Sequence, residues 1–179
     1  MSALDSALKC MIVACLVIAF PIGLGGCSKG EESSGTASNS AQSAPLDEVF
    51  WLAQPPANAR GVMETLNLPD AINPVVVRGK VSEFVTGRAQ FRLTDLSLES
   101  CDQNEGDDCP TPWDYCCIAS DELAAATLVV EFRDGDHLAK AQLAGFHEFD
   151  HLKTVVVTGE LSKDGAGNAL LNATAMHVE

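Results

Sequence analysis

Four cysteines, Cys101, Cys109, Cys116 and Cys117, share one segment with eight carboxylates between Glu99 and Glu122 and with no Lys or Arg. Thiols at such density do one of two things: they oxidise in pairs, or they ionise and hold a soft cation. In an oxidising compartment an even count reads first as two disulfides, and four cysteines allow three pairings. Joining the neighbours Cys116 and Cys117 would close a strained small ring. The expectation is therefore that each reaches back to Cys101 or Cys109. Pro110-Thr111-Pro112 then forms a rigid turn that holds Trp113 and Tyr115 against the domain. The alternative is a thiolate site for zinc or copper, although the spacing lacks the paired Cys-x-x-Cys of zinc ribbons and the Cys-x-x-Cys-His of haem attachment. Asp102-x-Asn104-x-Gly106-Asp107-Asp108 has the flavour of a calcium loop, but Trp113 stands where the bidentate glutamate belongs.

A second pattern, His147-Glu148-Phe149-Asp150-His151, fits H-E-x-x-H. On a helix that spacing puts two imidazoles on one face for zinc and a glutamate where it can activate water. The chemistry needs a helix through all five residues and a third ligand. Here the motif meets the strand that starts near Leu152, and Thr154 occupies the glycine position of the extended pattern. The reading is that Phe146 and Phe149 are core contacts at one end of the domain. A zinc hydrolase, or a non-enzymatic site on His147 and His151, remains an alternative. The sequence contains no nucleophile elbow, phosphate-cradling glycine loop or dinucleotide fingerprint, and the expectation is that the protein is not an enzyme.

The elements that must position these residues begin at Pro74. Val75–Val81 is a β-branched run with Gly79 inside it, and Thr86-Gly87-Arg88 is a turn. Phe91–Leu98 alternates apolar and polar as a second strand. After the cysteine segment, 99–122, a third strand runs from Ala126 to Phe132. Leu138, Ala141, Gln142, Gly145 and Phe146 then recur at helical spacing. Leu152–Leu161 gives a fourth strand, Lys163–Asn168 a hairpin loop, and Ala169–Val178 a fifth strand. Upstream, residues 45–73 read as two short helices, Leu46–Leu52 and Ala59–Leu66, broken by Pro55-Pro56 and Pro69.

Three strands, a helix and two strands is the order of the OB-fold, a five-stranded partly open barrel. Val77-x-Gly79-x-Val81, Phe91-x-Leu93-x-Asp95, Val155-x-Val157-x-Gly159-x-Leu161 and Asn172-Ala173-Thr174 resemble the small exported bacterial OB-fold proteins. The resemblance covers 74–179 and implies a mainly β, OB-fold-like barrel with one helix between strands three and four. A jelly-roll fragment or another small β-barrel is the competitor. The hairpins are also similar to the periplasmic haem chaperone of cytochrome c maturation, which would imply haem carriage on His177; the tyrosine that follows that family's histidine is absent, and the cysteine segment is foreign to it.

The N-terminal part concerns location. Leu24-Gly25-Gly26-Cys27 ends an apolar stretch from Cys10 to Leu24 and resembles the lipobox of bacterial lipoproteins. The resemblance implies a signal peptide over 1–26, diacylglycerol on Cys27, and an exported chain anchored in the membrane by its N-terminal lipid. A membrane span needs about 20 apolar residues, more than this stretch offers. Ser28, following the cysteine, implies the outer membrane by the same resemblance. Residues 27–44 are rich in Ser, Gly, Ala and Asn and read as a flexible tether.

Removing Asp5 and Lys9 with the leader leaves 24 carboxylates against 10 basic residues, so the net charge stays at −14. Such a surface disfavours nucleic-acid backbones, whose binding depends on clustered Lys and Arg. The sequence thus leads to a lipid-anchored, disulfide-braced binding module of the cell envelope. Its contact surface is expected near strands two and three with Trp113, Asp114 and Tyr115 at the rim, and its partner is an envelope protein, a glycan or a cation. The main reading has no metal; the alternative is zinc or copper on Cys116, Cys117, His147 and His151.

Overall fold

In the computed structural model the described residues are 43–69, 72–104, 106 and 109–179. The leader, Cys27 and most of the tether lie outside them. Among the described residues no helix is long and apolar enough to cross a membrane.

The barrel is organised around its first long strand, β2 (Val75–Phe84), which follows a two-residue β1 (Arg60–Gly61). Alternation along β2 points Val75, Val77 and Val81 inward, where each is at most 1% exposed. Its first half pairs antiparallel with β6 (Thr154–Lys163), from Val75↔Gly159 to Lys80↔Thr154. Its second half pairs with β3 (Gln90–Thr94), from Lys80↔Thr94 to Phe84↔Phe91. One strand thereby serves two neighbours. Gly79 sits at the change of partner, where a Cβ would fall 2.7 Å from Leu93 Cγ and 2.8 Å from the Thr94 carbonyl oxygen. Only a glycine allows the backbones to approach that closely.

The remaining strands close the ring. β3 pairs antiparallel with β4 (Thr127–Asp134), β4 runs parallel to β7 (Ala169–Val178), and β7 pairs antiparallel with β6. The circuit β2-β3-β4-β7-β6-β2 is a closed five-stranded, OB-fold-like barrel. β1 lies outside it on β2, as does β5 (His137–Leu138) on β4. A register shift at Thr158/Gly159 marks a bulge against β7, and a Cβ on Gly159 would stand 2.4 Å from the Asn172 carbonyl oxygen. Bulges of this kind bend a strand and let a small sheet curl shut. Closure leaves the barrel without the unpaired edges of an open sheet. The interior is filled by Phe91, Leu93, Leu128, Val130, Phe132, Leu171 and Met176, all fully or nearly fully buried.

The helix expected between the third and fourth barrel strands does not form. After β5 the chain is irregular to Lys153, with left-handed backbone at Gly145 (φ 87°), His147 (φ 49°), Glu148 (φ 60°) and Leu152 (φ 65°). The burial pattern explains the difference: Ala141 and Leu143 are buried and Gln142 between them is not, a period of two rather than 3.6. The backbone here pairs with the upstream extension instead of with itself. Gln142 N–H donates to the Ala44 carbonyl at 2.8 Å, and Leu46 N–H donates to the Gln142 carbonyl at 3.3 Å.

Among the described residues the short α-helices are α1 (Val62–Leu66), within the helix expected over Ala59–Leu66, and α2 (Ser120–Ala125), which lies in the cysteine segment. The expected helix over Leu46–Leu52 shrinks to one 3-10 turn, Glu48–Phe50, capped by Asp47. Beyond it the Leu52 amide donates to the Met176 carbonyl at 2.7 Å, so the extension is pinned to β7.

α1 begins at Gly61 with no capping side chain of its own. Asp95, just past β3, supplies the missing acceptor: the Met63 amide donates to it at 2.9 Å, and the amide and hydroxyl of Ser97 at 3.0 and 2.8 Å. Burial acts to raise the Asp95 pKa, and the donors from Met63, Ser97 and Val62 overcome it, holding the carboxyl below the usual aspartate range.

Candidate functional site

The H-E-x-x-H segment is the barrel's plug. Phe149 is completely buried and meets Phe91, Phe84 and Trp51 edge-on, with ring centroids at 5.0, 5.2 and 5.9 Å. The flanking histidines turn to different partners. His147 stacks on Trp51 at 4.5 Å, and its Nε2 lies 3.0 Å from Glu48. His151 stacks on Trp113 at 4.4 Å, packs against the Phe84 ring and bonds through Nδ1 to Asp150 at 3.2 Å. Glu148 is directed to Lys153 at 3.7 Å. Left-handed backbone at His147 and Glu148 removes the helical turn that would put both imidazoles on one ion, which speaks against the alternative of a zinc site on His147 and His151. His177 is likewise engaged, its Nδ1 at 2.8 Å from the Leu52 carbonyl oxygen.

The cysteine segment folds back on itself above the open end of β2 and β3. Ser100 and Gln103 form a capping box around the 3-10 turn Cys101–Gln103, and Lys80 of β2 reaches across to Ser100 Oγ at 3.1 Å and Gln103 Oε1 at 2.8 Å. The two limbs are tied by the Cys101 amide to the Asp114 carbonyl and the Asp102 amide to the Pro112 carbonyl, both at 2.9 Å. These bonds bring together cysteines that are far apart in sequence. Cys101 Sγ lies 3.2 Å from Cys116 Sγ, and Cys116 Sγ lies 3.9 Å from the sulfurs of both Cys109 and Cys117. An S–S bond is about 2.05 Å long. The thiols thus gather as expected, but the expected disulfides are not present at bonding distance.

Crowding sulfurs changes their acidity. Contact with Cys116, together with burial, pushes the Cys101 thiol up to about 12. Bonds from Thr111 hold Cys109 below the ordinary thiol value. For Cys116 the contact with Cys101 lowers the pKa, but those with Cys117 and Cys109 outweigh it and the thiol is raised.

Beside this segment a groove crosses the outer face of β3 and β4. Met63 and Leu66 of α1, Arg92 of β3, Val129 of β4, Leu123 of α2 and Trp113 line it, and the β6–β7 turn closes one end. That turn is set by Asp164, which accepts from the Ala166 and Asn168 amides at 2.9 Å and from the Asn168 side chain at 2.7 Å. Trp113 and Asp114 line the groove. Tyr115 does not project from the rim: it is 3% exposed and packs with Leu98 and Ala126 in a second small core, backed by Ile118 and Leu123. Burial raises its phenol pKa, against the pull of the Ser100 and Thr94 hydroxyls. An aromatic ring between two apolar neighbours in a tight loop is more stably placed inward, where it gives the segment a core.

Met63, Leu66, Leu123 and Val129 were not among the contact residues expected from sequence. Val129 carried a signal: Leu128, Val130 and Phe132 take the inward phase of β4, leaving Val129 as an apolar residue on the outward phase. Met63 is 42% exposed for the same reason, since the inward side of its short helix is already filled by Val62 and Thr65. The chain matches no known protein-family model and no curated protein sequence.

Proposed function

We propose that this protein is a non-enzymatic binding module of the cell envelope, held at the membrane by lipid on Cys27, whose barrel takes a segment of another envelope protein in the groove over β3 and β4. The observation that carries this reading is the apolar lining, Met63, Leu66, Leu123 and Val129, on the outer face of a barrel whose interior is already full. Met63 is exposed and Leu66, Leu123 and Val129 are half-buried, so part of each side chain is left open at the groove for a partner to cover. The chemistry favours a peptide over a sugar. One face of Trp113 is already stacked on His151, which removes a stacking platform for a glycan. Arg92 at the groove is partly neutralised by Glu83 at 3.1 Å, and Asp114 stands exposed beside it. With a net charge of −14, the surface suits a partner segment carrying apolar side chains flanked by Lys or Arg.

The test is site-specific photocrosslinking in the cells that make the protein. A photoreactive residue at Val129 or Leu123 is expected to give one discrete protein adduct, identifiable by mass spectrometry. The same residue at Glu160, exposed on β6, is expected to give none. No adduct from the groove, or the same adducts from both faces, would refute the reading.

A further inference from the structure

We propose that Cys101, Cys109, Cys116 and Cys117 form a tetrathiolate zinc site that fastens the segment between β3 and β4 to itself and so builds one wall of the groove. The inference stands on the sulfur geometry and does not depend on what the groove binds.

A tetrahedral zinc–thiolate centre has Zn–S bonds of about 2.3 Å, which places its sulfurs about 3.8 Å apart along each edge. Cys101, Cys116 and Cys117 meet on that scale, and Cys109 stands against Cys116 from outside their mutual group. Cys116 Sγ lies 3.9 Å from both Cys109 and Cys117 and 3.2 Å from Cys101. The sulfurs of Cys101, Cys116 and Cys117 all lie within 4.8 Å of one another, and among the described residues this is the one group of three or more potential ligands that meets so closely. Two separate disulfides would instead draw four sulfurs into two tight pairs. Here Cys116 is shared among three neighbours, an arrangement that a common central ion explains and a pairing scheme does not.

The backbone around the sulfurs is tied independently of them. The Cys101–Asp114 and Asp102–Pro112 bonds fix the two limbs, the capping box of Ser100 and Gln103 fixes the first ligand's turn, and the Tyr115 core anchors the turn carrying Cys116 and Cys117. Four sulfur donors in tetrahedral arrangement are a structural zinc set, with copper(I) and iron–sulfur clusters as the other takers of soft thiolates. Binding one Zn²⁺ releases the protons of the thiols that ionise, up to four, and leaves a centre of net charge −2 with no change in oxidation state. Lys80, bonded to Ser100 and Gln103 next to Cys101, places a positive charge beside it.

A folding role follows. The segment has only a small core of its own, Leu98, Tyr115 and Ala126, too little to order so long a connection. Metal ligation adds the missing constraint, and because Trp113 and Leu123 belong to the same segment, it also positions the groove wall.

The deciding experiment uses the full-length chain, extracted in detergent without chelator, with elemental analysis and intact mass measured on the same sample. One zinc per chain, with four further thiols becoming alkylatable only after chelation and denaturation, is the expected result. A denatured mass four hydrogens short with no metal would overturn the proposal in favour of two disulfides. Four alkylatable thiols with no metal, or stoichiometric copper in place of zinc, would overturn it as well. Substitution with cobalt gives a second readout: sulfur-to-cobalt charge-transfer bands of a tetrahedral thiolate centre in the wild type, and at least a tenfold loss of cobalt affinity in Cys116→Ser. Retention of wild-type affinity by Cys116→Ser, with β-rich circular dichroism intact, would also sink it. If Cys116→Ser fails to fold, Cys117→Ser, at an exposed position of the same cluster, answers the same question.

Discussion

Replacing Phe149 by alanine separates a structural from a catalytic reading of the H-E-x-x-H segment. Phe149 has no exposed surface and is enclosed by three aromatic rings within 5.9 Å. Truncating a fully buried phenylalanine costs about 3–5 kcal/mol through lost transfer energy and the cavity left behind. The edge-on ring contacts place this residue in the upper half of that range, at about 4–5 kcal/mol. Total stabilities of small domains are about 5–15 kcal/mol, so the variant should be close to the edge of folding. Glu148→Gln supplies the contrast. Its carboxylate is 86% exposed and 3.7 Å from Lys153, and loss of such a surface pair changes stability by less than about 1 kcal/mol. Urea denaturation followed by tryptophan fluorescence and by far-ultraviolet circular dichroism would measure both. The expected result is a large fall in the midpoint for Phe149→Ala, with the slope unchanged, and a midpoint for Glu148→Gln near that of the wild type. A loss below about 1.5 kcal/mol for Phe149→Ala would refute the idea that this side chain plugs the barrel in place of a helix.

Asp95→Ala should cost about 2 kcal/mol, because it leaves the first turn of α1 and the Ser97 amide without their acceptor. The folded pKa of Asp95 is below its unfolded value of about 3.9, so its contribution is fully present above that value and is lost as pH falls through the folded pKa; Asp95→Asn should flatten this acid-side loss in denaturation midpoints measured from pH 6 to pH 2. Gly159→Ala should destabilise by about 2–4 kcal/mol, since its Cβ would meet the Asn172 carbonyl at 2.4 Å, whereas Gly165→Ala, with nothing within 4 Å, should be nearly silent in thermal melts. Cys27→Ser should move the protein from the membrane to the soluble fraction of fractionated cells, and retention in the membrane would refute a lipid anchor at that residue.

The barrel strands were legible because their signal is local. Alternation of Val75, Val77 and Val81, of Phe91 and Leu93, and of Leu128, Val130 and Phe132 follows from the pleat itself, and the strand expected over Ala169–Val178 is the strand observed. Strand ends were less legible. The alternation from Phe91 continues to Leu98, but Asp95 leaves the ladder at Thr94 to serve α1, a demand made by residues more than thirty positions away. The glycine signals at Gly79 and Gly159 were visible as interruptions of β-branched runs, and their cause, close backbone approach, is a property of paired strands.

The region from Asp134 to Lys153 shows the limit most clearly. Leu138, Ala141 and Gly145 fit a helical period, while Ala139, Ala141 and Leu143 fit an extended one, and the residues themselves do not choose between them. The extension around Ala44–Leu46 chose, by offering its backbone to Gln142. That choice then decided the fate of His147 and His151, which became stacking partners of two different tryptophans.

The sequence alone therefore determined the five barrel strands, what composition the surface would have and which residue types could do chemistry, because periodicity, charge and side-chain identity are properties of neighbours along the chain. Tertiary structure decided that four thiols would meet, that Tyr115 would turn inward and that Val129 would line a groove. Each of these depends on which distant backbone supplies the hydrogen bonds and which face is already filled, and sequence spacing carries neither.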